Sequence, residues 1–136
     1  MKIPRQTKYR KSHRKLTFCT ARQNNMHHLH FGSFGIKALE SGRLSSNNIE
    51  ALRRTLTRRF KRTGKIWIRV FAHTSVTSKP AEVRMGKGKG NPKFWISLIP
   101  AGQILFEFSG ISINLAKQAT ALVSRKIGLK VAFTSE

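Results

Sequence analysis

The chain has 136 residues, 39% hydrophobic and 9% aromatic, which suffices for one packed domain and excludes a globally disordered chain. Twenty-seven Lys and Arg face five acids (Glu40, Glu50, Glu82, Glu107 and Glu136), with no Asp, for a formal charge of +22. Such an imbalance repels itself, so a polyanion is the expected partner, nucleic acid first; no apolar run approaches the ~20 residues of a bilayer span, so no membrane insertion is expected.

Residues 1–20 read as a basic N-terminal arm that binds RNA, and residues 21–136 as a single α+β domain. The arm carries Lys2, Arg5, Lys8, Arg10, Lys11, Arg14 and Lys15 with no acid among them. Blocks of this kind are disordered alone and act as nucleic-acid arms. An Arg-rich, acid-poor transit peptide is the rival reading, but only Ile3, Tyr9 and Leu16 punctuate the segment and no amphipathic face results.

Residues 16–33 read as irregular linker. Cys19 is the single cysteine, which excludes an internal disulfide. His27, His28 and His30 cluster nearby, but zinc sites draw on Cys and on partners elsewhere in the chain, so a surface cluster beside RNA is expected and no metal.

Phe34–Ala38 is a weak strand candidate, followed by a helix at about 46–63. Asn47 serves as its expected cap, with Glu50 three residues on as a capping-box partner. Ile49, Leu52, Leu56 and Phe60 make one apolar stripe, and Gly64 supplies a C-terminal stop. Arg54, Arg58, Lys61 and Arg62 lie opposite that stripe, flanked by Arg53 and Arg59. A solvated helix face mixes signs, whereas here Glu50–Arg54 is the only expected supporting pair, so the face calls for phosphate.

Alternating residues predict strands over 65–71, 81–85, 93–99 and 104–109. A second helix is expected over 114–126, with Leu115, Ala119 and Leu122 on one side, then Gly128 and a last strand over 129–134. Strands in runs, with two helices to cover one face, predict an α+β fold, largely antiparallel.

Arg84 to Asn91 is the most distinctive stretch. Gly86, Gly88 and Gly90 alternate with Lys87 and Lys89, a pattern suited to close backbone approach in a basic loop. A P-loop would need Ser or Thr after Gly-Lys and a helix to open, and a dinucleotide fingerprint also needs a helix where Pro92 leads a strand. Contact with folded RNA is the better reading. No close carboxylate pair is evident, and no Asp exists for a Ser-His-Asp arrangement, so no catalytic residue, cofactor or small-molecule substrate is expected. The chain is read as a non-enzyme.

Several of these motifs are familiar together. Lys8-Tyr9-Arg10-Lys11 with His13-Arg14, Phe31-Gly32-Ser33-Phe34-Gly35, and Gly42-Arg43-Leu44 through Ile49-Glu50-Ala51 and Arg53-Arg54 occur in order. The more specific runs Gly64-Lys65-Ile66-Trp67-Ile68-Arg69-Val70-Phe71 and Arg84-Met85-Gly86-Lys87-Gly88-Lys89-Gly90 follow. By these the chain resembles the universal large-subunit ribosomal protein family called L-sixteen in bacteria, over nearly its whole length. The resemblance implies a compact hammerhead-type α+β domain bound to large-subunit rRNA, near the central protuberance and the aminoacyl-tRNA site. It implies that residues 84–91 help order rRNA near the tRNA acceptor arm and elbow, among neighbouring large-subunit proteins. The implied role is subunit assembly and tRNA positioning, with peptide-bond chemistry left to the RNA.

Ala72-His73-Thr74-Ser75 stands where bacterial members usually carry Pro-Asp-Lys-Pro, and residues 16–30 are unlike bacterial versions. Gly102-Gln103-Ile104-Leu105-Phe106-Glu107 and the Ala-rich helix after it look closer to mitochondrial members. Because the likeness begins within the first ten residues, the arm is expected to be mature protein. A mitochondrial ribosome is therefore the expected location, with plastid and bacterial origins as alternatives. The expected RNA-binding residues are Lys8, Arg10, Lys11, Arg14, Arg54, Arg58, Lys61, Arg62, Arg84, Gly86, Lys87, Gly88, Lys89 and Gly90. The main competing function is a stand-alone nucleic-acid-binding regulator with its basic helix in a DNA groove. That helix offers Arg and Lys but few Asn or Gln for reading bases. A nucleotide-dependent enzyme lacks acidic metal ligands and is the weakest alternative.

Overall fold

The computed structural model describes residues 3–13, 27–86 and 88–135. Among these, the elements run β1 (Phe34–Ala38), β2 (Gly42–Ser45), α1 (Ser46–Arg59), β3 (Lys65–Ile68), β4 (Thr74–Ser78) and β5 (Asn91–Ile99), then β6 (Ile104–Ser109), α2 (Ile113–Ile127) and β7 (Val131–Ser135). Two sheets form, a four-stranded one in the order β3-β6-β1-β7 and a three-stranded one in the order β2-β5-β4. Every pairing is antiparallel, so the α+β expectation holds.

The core is organised around β6, which is buried at every position from Ile104 to Phe108. Its neighbours β3 and β1 pair with its two edges. The α1 stripe behaves as its spacing requires: Ile49, Leu52, Leu56 and Phe60 are all buried. Phe60 reaches Phe108 with ring centroids 5.4 Å apart, which fastens the helix end to the central strand. On α2 the buried set is Ala116, Ala119, Thr120, Val123 and Ile127. The stripe is thus turned from the expected Leu115–Ala119–Leu122, leaving Leu115 and Leu122 half-buried at its margin. Alanines on the buried face present little bulk where α2 packs on α1.

Several local boundaries differ from the sequence reading, each for a physical reason. Ser45, not Asn47, caps α1: its Oγ accepts the Asn48 amide at 3.1 Å. Glu50 is consequently not a capping-box partner and instead binds arginines. The helix stops at Arg59 rather than running to 63, because Lys61 and Arg62 adopt positive φ of 50° and 66°. Gly64, also left-handed at φ +74°, docks where a Cβ would lie 2.3 Å from the Ser109 carbonyl. Its role is to let the chain enter β3 beside β6, not to cap α1. Gly128, at φ 68°, does end α2 as expected.

The strand expected over 65–71 ends at Ile68, with one further backbone bond to β6 from the Arg69 amide to the Leu105 carbonyl at 3.0 Å. The strand expected over 81–85 does not form; those residues are an exposed turn region. Thr74–Ser78 pairs with β5 in its place. Its polar Thr-Ser-Val-Thr-Ser composition hides a strand whose residues Thr74 and Ser75 are buried only by tertiary packing. β2 was likewise not anticipated, and it is too short for a pattern to show.

Candidate nucleic-acid interface

The exposed side of α1 concentrates charge. Arg53, Arg54, Thr57, Arg58, Lys61 and Arg62 line one open concavity of about 400 Å³, so five of its six lining side chains are cationic. A second, also about 400 Å³, lies between Arg54, Thr55, Arg58 and Arg59 of α1 and Leu122 and Lys126 of α2. The basic surface therefore crosses onto α2, where Lys126 Nζ donates to Thr55 Oγ1 at 3.2 Å and Arg59 donates to Gln118 Oε1. Lys126 was missed in the sequence, since its proximity to α1 depends on how the two helices cross.

Among the described residues, the ion pairs within α1 all fall on Glu50. Its carboxylate meets Arg53 at 2.8 Å and Arg54 at 3.0 Å, so the expected Glu50–Arg54 pair is joined by a second. The Arg53 hydrogen bond, with help from Arg54 and against partial desolvation, holds the Glu50 carboxyl down at about 2. Arg58, Lys61 and Arg62 lie beyond this acid and stay exposed. They also sit at the helix C-terminal end, whose dipole favours cations. Lys61 and Arg62 in left-handed conformations cost of order 1 kcal/mol each, a strain held by buried Phe60 and docked Gly64.

The glycine-rich loop joins β4 to β5, and its described residues are exposed through Lys89. Its glycines serve two different purposes. Gly86 and Gly88 take φ of +104° and +85° with open space around them, while a Cβ on Gly90 would lie 2.5 Å from the Ser78 carbonyl. Close backbone approach, expected of all three, thus holds for Gly90 alone. Lys79 Nζ donates to the Gly86 carbonyl at 2.5 Å and helps hold the loop's shape.

Loop and arm come together. Lys11 Nζ donates to the Lys89 carbonyl at 2.7 Å, and Lys89 Nζ donates to the Ser12 carbonyl. Residues 7–13 run along one wall of an open groove of about 1200 Å³, facing His73, Thr74, Ser75 and Trp95. Lys8 and Arg10 are exposed there, and Arg84 is exposed on the loop. Arg14 and Lys87 lie outside the described residues. Like-charged lysines exchange hydrogen bonds here through backbone carbonyls, which solvate the ammonium groups without neutralising them. The contact leaves the region cationic.

A third cluster went unread in the sequence. Glu107, in the middle of β6, is fully buried. One carboxylate oxygen accepts three successive backbone amides, His30 at 3.1 Å, Phe31 at 2.7 Å and Gly32 at 3.0 Å. The other oxygen accepts Arg69 Nη1. Burial alone would raise this carboxyl's pKa, but the amides of Phe31, His30 and Gly32, with Arg69, outweigh it and hold the pKa below the ordinary value. Gly32 is required for the strap to lie this close, because a Cβ would stand 2.7 Å from the Phe108 carbonyl. The strap sets the Phe31 ring over β3, 6.1 Å from Trp67 in a stacked arrangement and 5.5 Å from the Arg69 guanidinium. A strand with an acid in its middle was the available signal: a central-strand Glu must find partners.

The three histidines separate in role. His27 packs over Gly102, His28 offers its carbonyl to Arg69, and the His30 amide binds Glu107. Among the described residues no group of three or more His, Cys, Asp and Glu is placed to hold a metal ion. Cys19 lies outside the described residues. No helix among the described residues is long and apolar enough to cross a membrane.

Comparison with known proteins places this arrangement. Residues 4–134 match the family described as ribosomal protein L16p/L10e. The chain is 46% identical over 135 residues to the large ribosomal subunit protein uL16 of Gluconacetobacter diazotrophicus, covering 99% of this chain and 96% of that protein. It is 49% identical to the large ribosomal subunit protein uL16m of Marchantia polymorpha, with 98% and 97% covered. The uL16m of Prototheca wickerhamii is also 49% identical, with 96% and 95% covered. With a match spanning nearly every residue, arm and glycine-rich loop included, the chain belongs to the ribosomal protein L16p/L10e family.

Proposed function

We propose that the chain binds large-subunit rRNA through three surfaces, the arm, the outer face of α1 and the glycine-rich loop, and that it supports subunit assembly and tRNA positioning beside the aminoacyl-tRNA site. As a member of its family it is a structural constituent of the large ribosomal subunit and not an enzyme. Its partners are rRNA and other ribosomal proteins. The observation that carries the reading is the α1 surface, where five cationic side chains line one concavity and the single acid of the helix is already occupied by Arg53 and Arg54. Phosphates are the ligand that such a surface lacks, and contacts of this kind fix position without reading sequence.

The residues assigned to rRNA are Lys8, Arg10, Lys11 and Arg14 of the arm, Arg54, Arg58, Lys61 and Arg62 of α1, and Arg84, Gly86, Lys87, Gly88, Lys89 and Gly90 of the loop. Lys11 and Lys89, which tie arm to loop, support treating those two regions as one binding surface. We read that ribosome as mitochondrial, a choice supported by uL16m relatives at 49% identity; bacterial uL16 relatives at 46% are comparably close and make a bacterial ribosome the alternative.

The test is sedimentation of a tagged copy from its native source at moderate and high salt. Co-migration with large subunits at both salts is the expected result, and the compartment follows from which subunits they are. Recovery at the top of the gradient, with nucleic acid lost as salt rises, would refute the reading in favour of a loosely bound regulator.

A further inference from the structure

We infer that Phe31, laid over Trp67 and Arg69, is a stacking platform for one unpaired nucleobase. The inference rests on the rRNA reading above and adds a contact of a different kind to it. On β3, Ile66 packs toward the core while Trp67 pairs across to Glu107 on β6. Side chains two apart on a strand share a face, so Lys65, Trp67 and Arg69 follow one another on the side that carries Phe31. The result is a row of exposed Lys65, Trp67 and the Glu107-paired Arg69, with a further aromatic ring above it.

Phe31 remains 60% exposed although its backbone amide is bound to buried Glu107 at 2.7 Å. Trp67 and Arg69 both meet it from the strand, at 6.1 and 5.5 Å, so the exposed part of the ring is the side turned away from the sheet. Its own amide and those of His30 and Gly32 are bound to Glu107, which fixes where the ring stands before any ligand arrives. An exposed phenylalanine on a free loop would scan many positions; this one presents a set plane.

The chemistry favours a base over a protein side chain. The acid registered opposite Trp67 is Glu107, and it is fully buried with both oxygens occupied. It therefore offers no negative charge outward; Arg69 is paired with it, so the outward charge of the row is the positive charge of exposed Lys65. A nucleobase brings an aromatic face for Phe31 and an adjoining phosphate for exposed Lys65. That combination of stacking ring and basic track is how single-stranded nucleic acid is held. The α1 face, by contrast, offers cations without an exposed ring and suits phosphates alone.

The two kinds of contact respond differently to salt. Phosphate contacts release counterions and steepen the salt dependence, whereas stacking contributes a factor nearly independent of salt. The experiment titrates the full chain against a large-subunit rRNA transcript at several salt concentrations, with base-specific chemical probing of each complex. Phe31→Leu should weaken binding roughly ten- to a hundredfold at every salt without changing the slope. Phe31→Trp should retain affinity, and unchanged thermal melting of both variants keeps folding out of the comparison. Probing should show a nucleobase protected by the wild type and Phe31→Trp and exposed with Phe31→Leu.

Wild-type binding that Phe31→Leu leaves within twofold would overturn the platform while leaving the rRNA reading intact. If Phe31→Leu binds rRNA normally yet fails to enter subunits, the surface meets a protein and the inference is likewise wrong. A wild-type chain that does not bind the transcript at all would sink the rRNA reading, and the platform with it.

Discussion

β6 and β5 are both central strands, yet they use their positions in opposite ways. β6 is buried from Ile104 through Phe108, while β5 leaves Asn91, Lys93 and Phe94 exposed and is entered from the exposed glycine-rich loop. The difference lies in what covers each strand. On the β6 side, helices pack on one face and residues 30–32 are strapped across the other through Glu107. At the beginning of β5, the covering group is the cationic arm, held to the loop by Lys11 and Lys89. Charge in the first region is cancelled inside the protein; charge in the second is left for something outside it. Substitutions should therefore cost stability in one region and binding in the other.

Glu107→Ala strikes the first region hardest. It strips Arg69 of its buried partner and frees three backbone amides, and losses of this type run to ~3–5 kcal/mol against a typical total stability of ~5–15. A large drop in urea midpoint is the expected result. A change below ~1 kcal/mol would mean that water replaces the carboxylate at no penalty, and the contrast between the sheets would be lost.

The same group predicts a pH response. Its folded pKa is depressed, so its stabilisation is fully present above the ordinary value of 4.5 and is lost as pH falls through the depressed value. Urea stability should thus fall as the pH drops below the ordinary carboxylate value in the wild type and fall less in Glu107→Gln. Glu50, held down at about 2, titrates in the same direction, but its pair with Arg53 and Arg54 is exposed and screened by solvent. Parallel curves for the wild type and Glu107→Gln would show that the pH dependence arises elsewhere.

The second region should respond in binding. Replacing Arg54, Arg58 and Arg62 together with Gln should lower the rRNA salt slope by about 2 to 3, close to one unit per phosphate contact. An unchanged slope would remove α1 from the interface. The smallest effect on the isolated protein belongs to the loop: Arg84→Ala and Lys87→Ala should leave melting within about 0.5 kcal/mol of the wild type. Translation and subunit assembly should nonetheless suffer, and wild-type levels of both in both variants would leave the loop without a role.

Regions differed in how legible they were, for reasons visible in particular residues. The α1 stripe could be read directly because Ile49, Leu52, Leu56 and Phe60 repeat at helical spacing and all meet the same core. Ile104–Ser109 was equally plain as a strand, since Ile104, Leu105, Phe106 and Phe108 together call for burial on both faces. Thr74–Ser78 was not, because polar residues form a strand only when β5 is beside them. Residues 81–85 misled in the opposite sense: their alternation finds no partner strand, and they remain a turn region. At the candidate interface, the basic residues announced themselves by composition, whereas Lys126 and Phe31 depended on contacts between distant segments.

The amino-acid sequence by itself determined the charge that demands an anionic partner, the helices and most of the strands. Those properties are set by residue type and local spacing. The tertiary structure decided which cations stand together, because five cationic side chains share one concavity only once α1 ends in a left-handed turn. It also decided the role of Glu107. An acid in a strand can be a surface charge or a buried latch, and the three amides and the guanidinium that make it a latch come from residues 38 to 77 positions away.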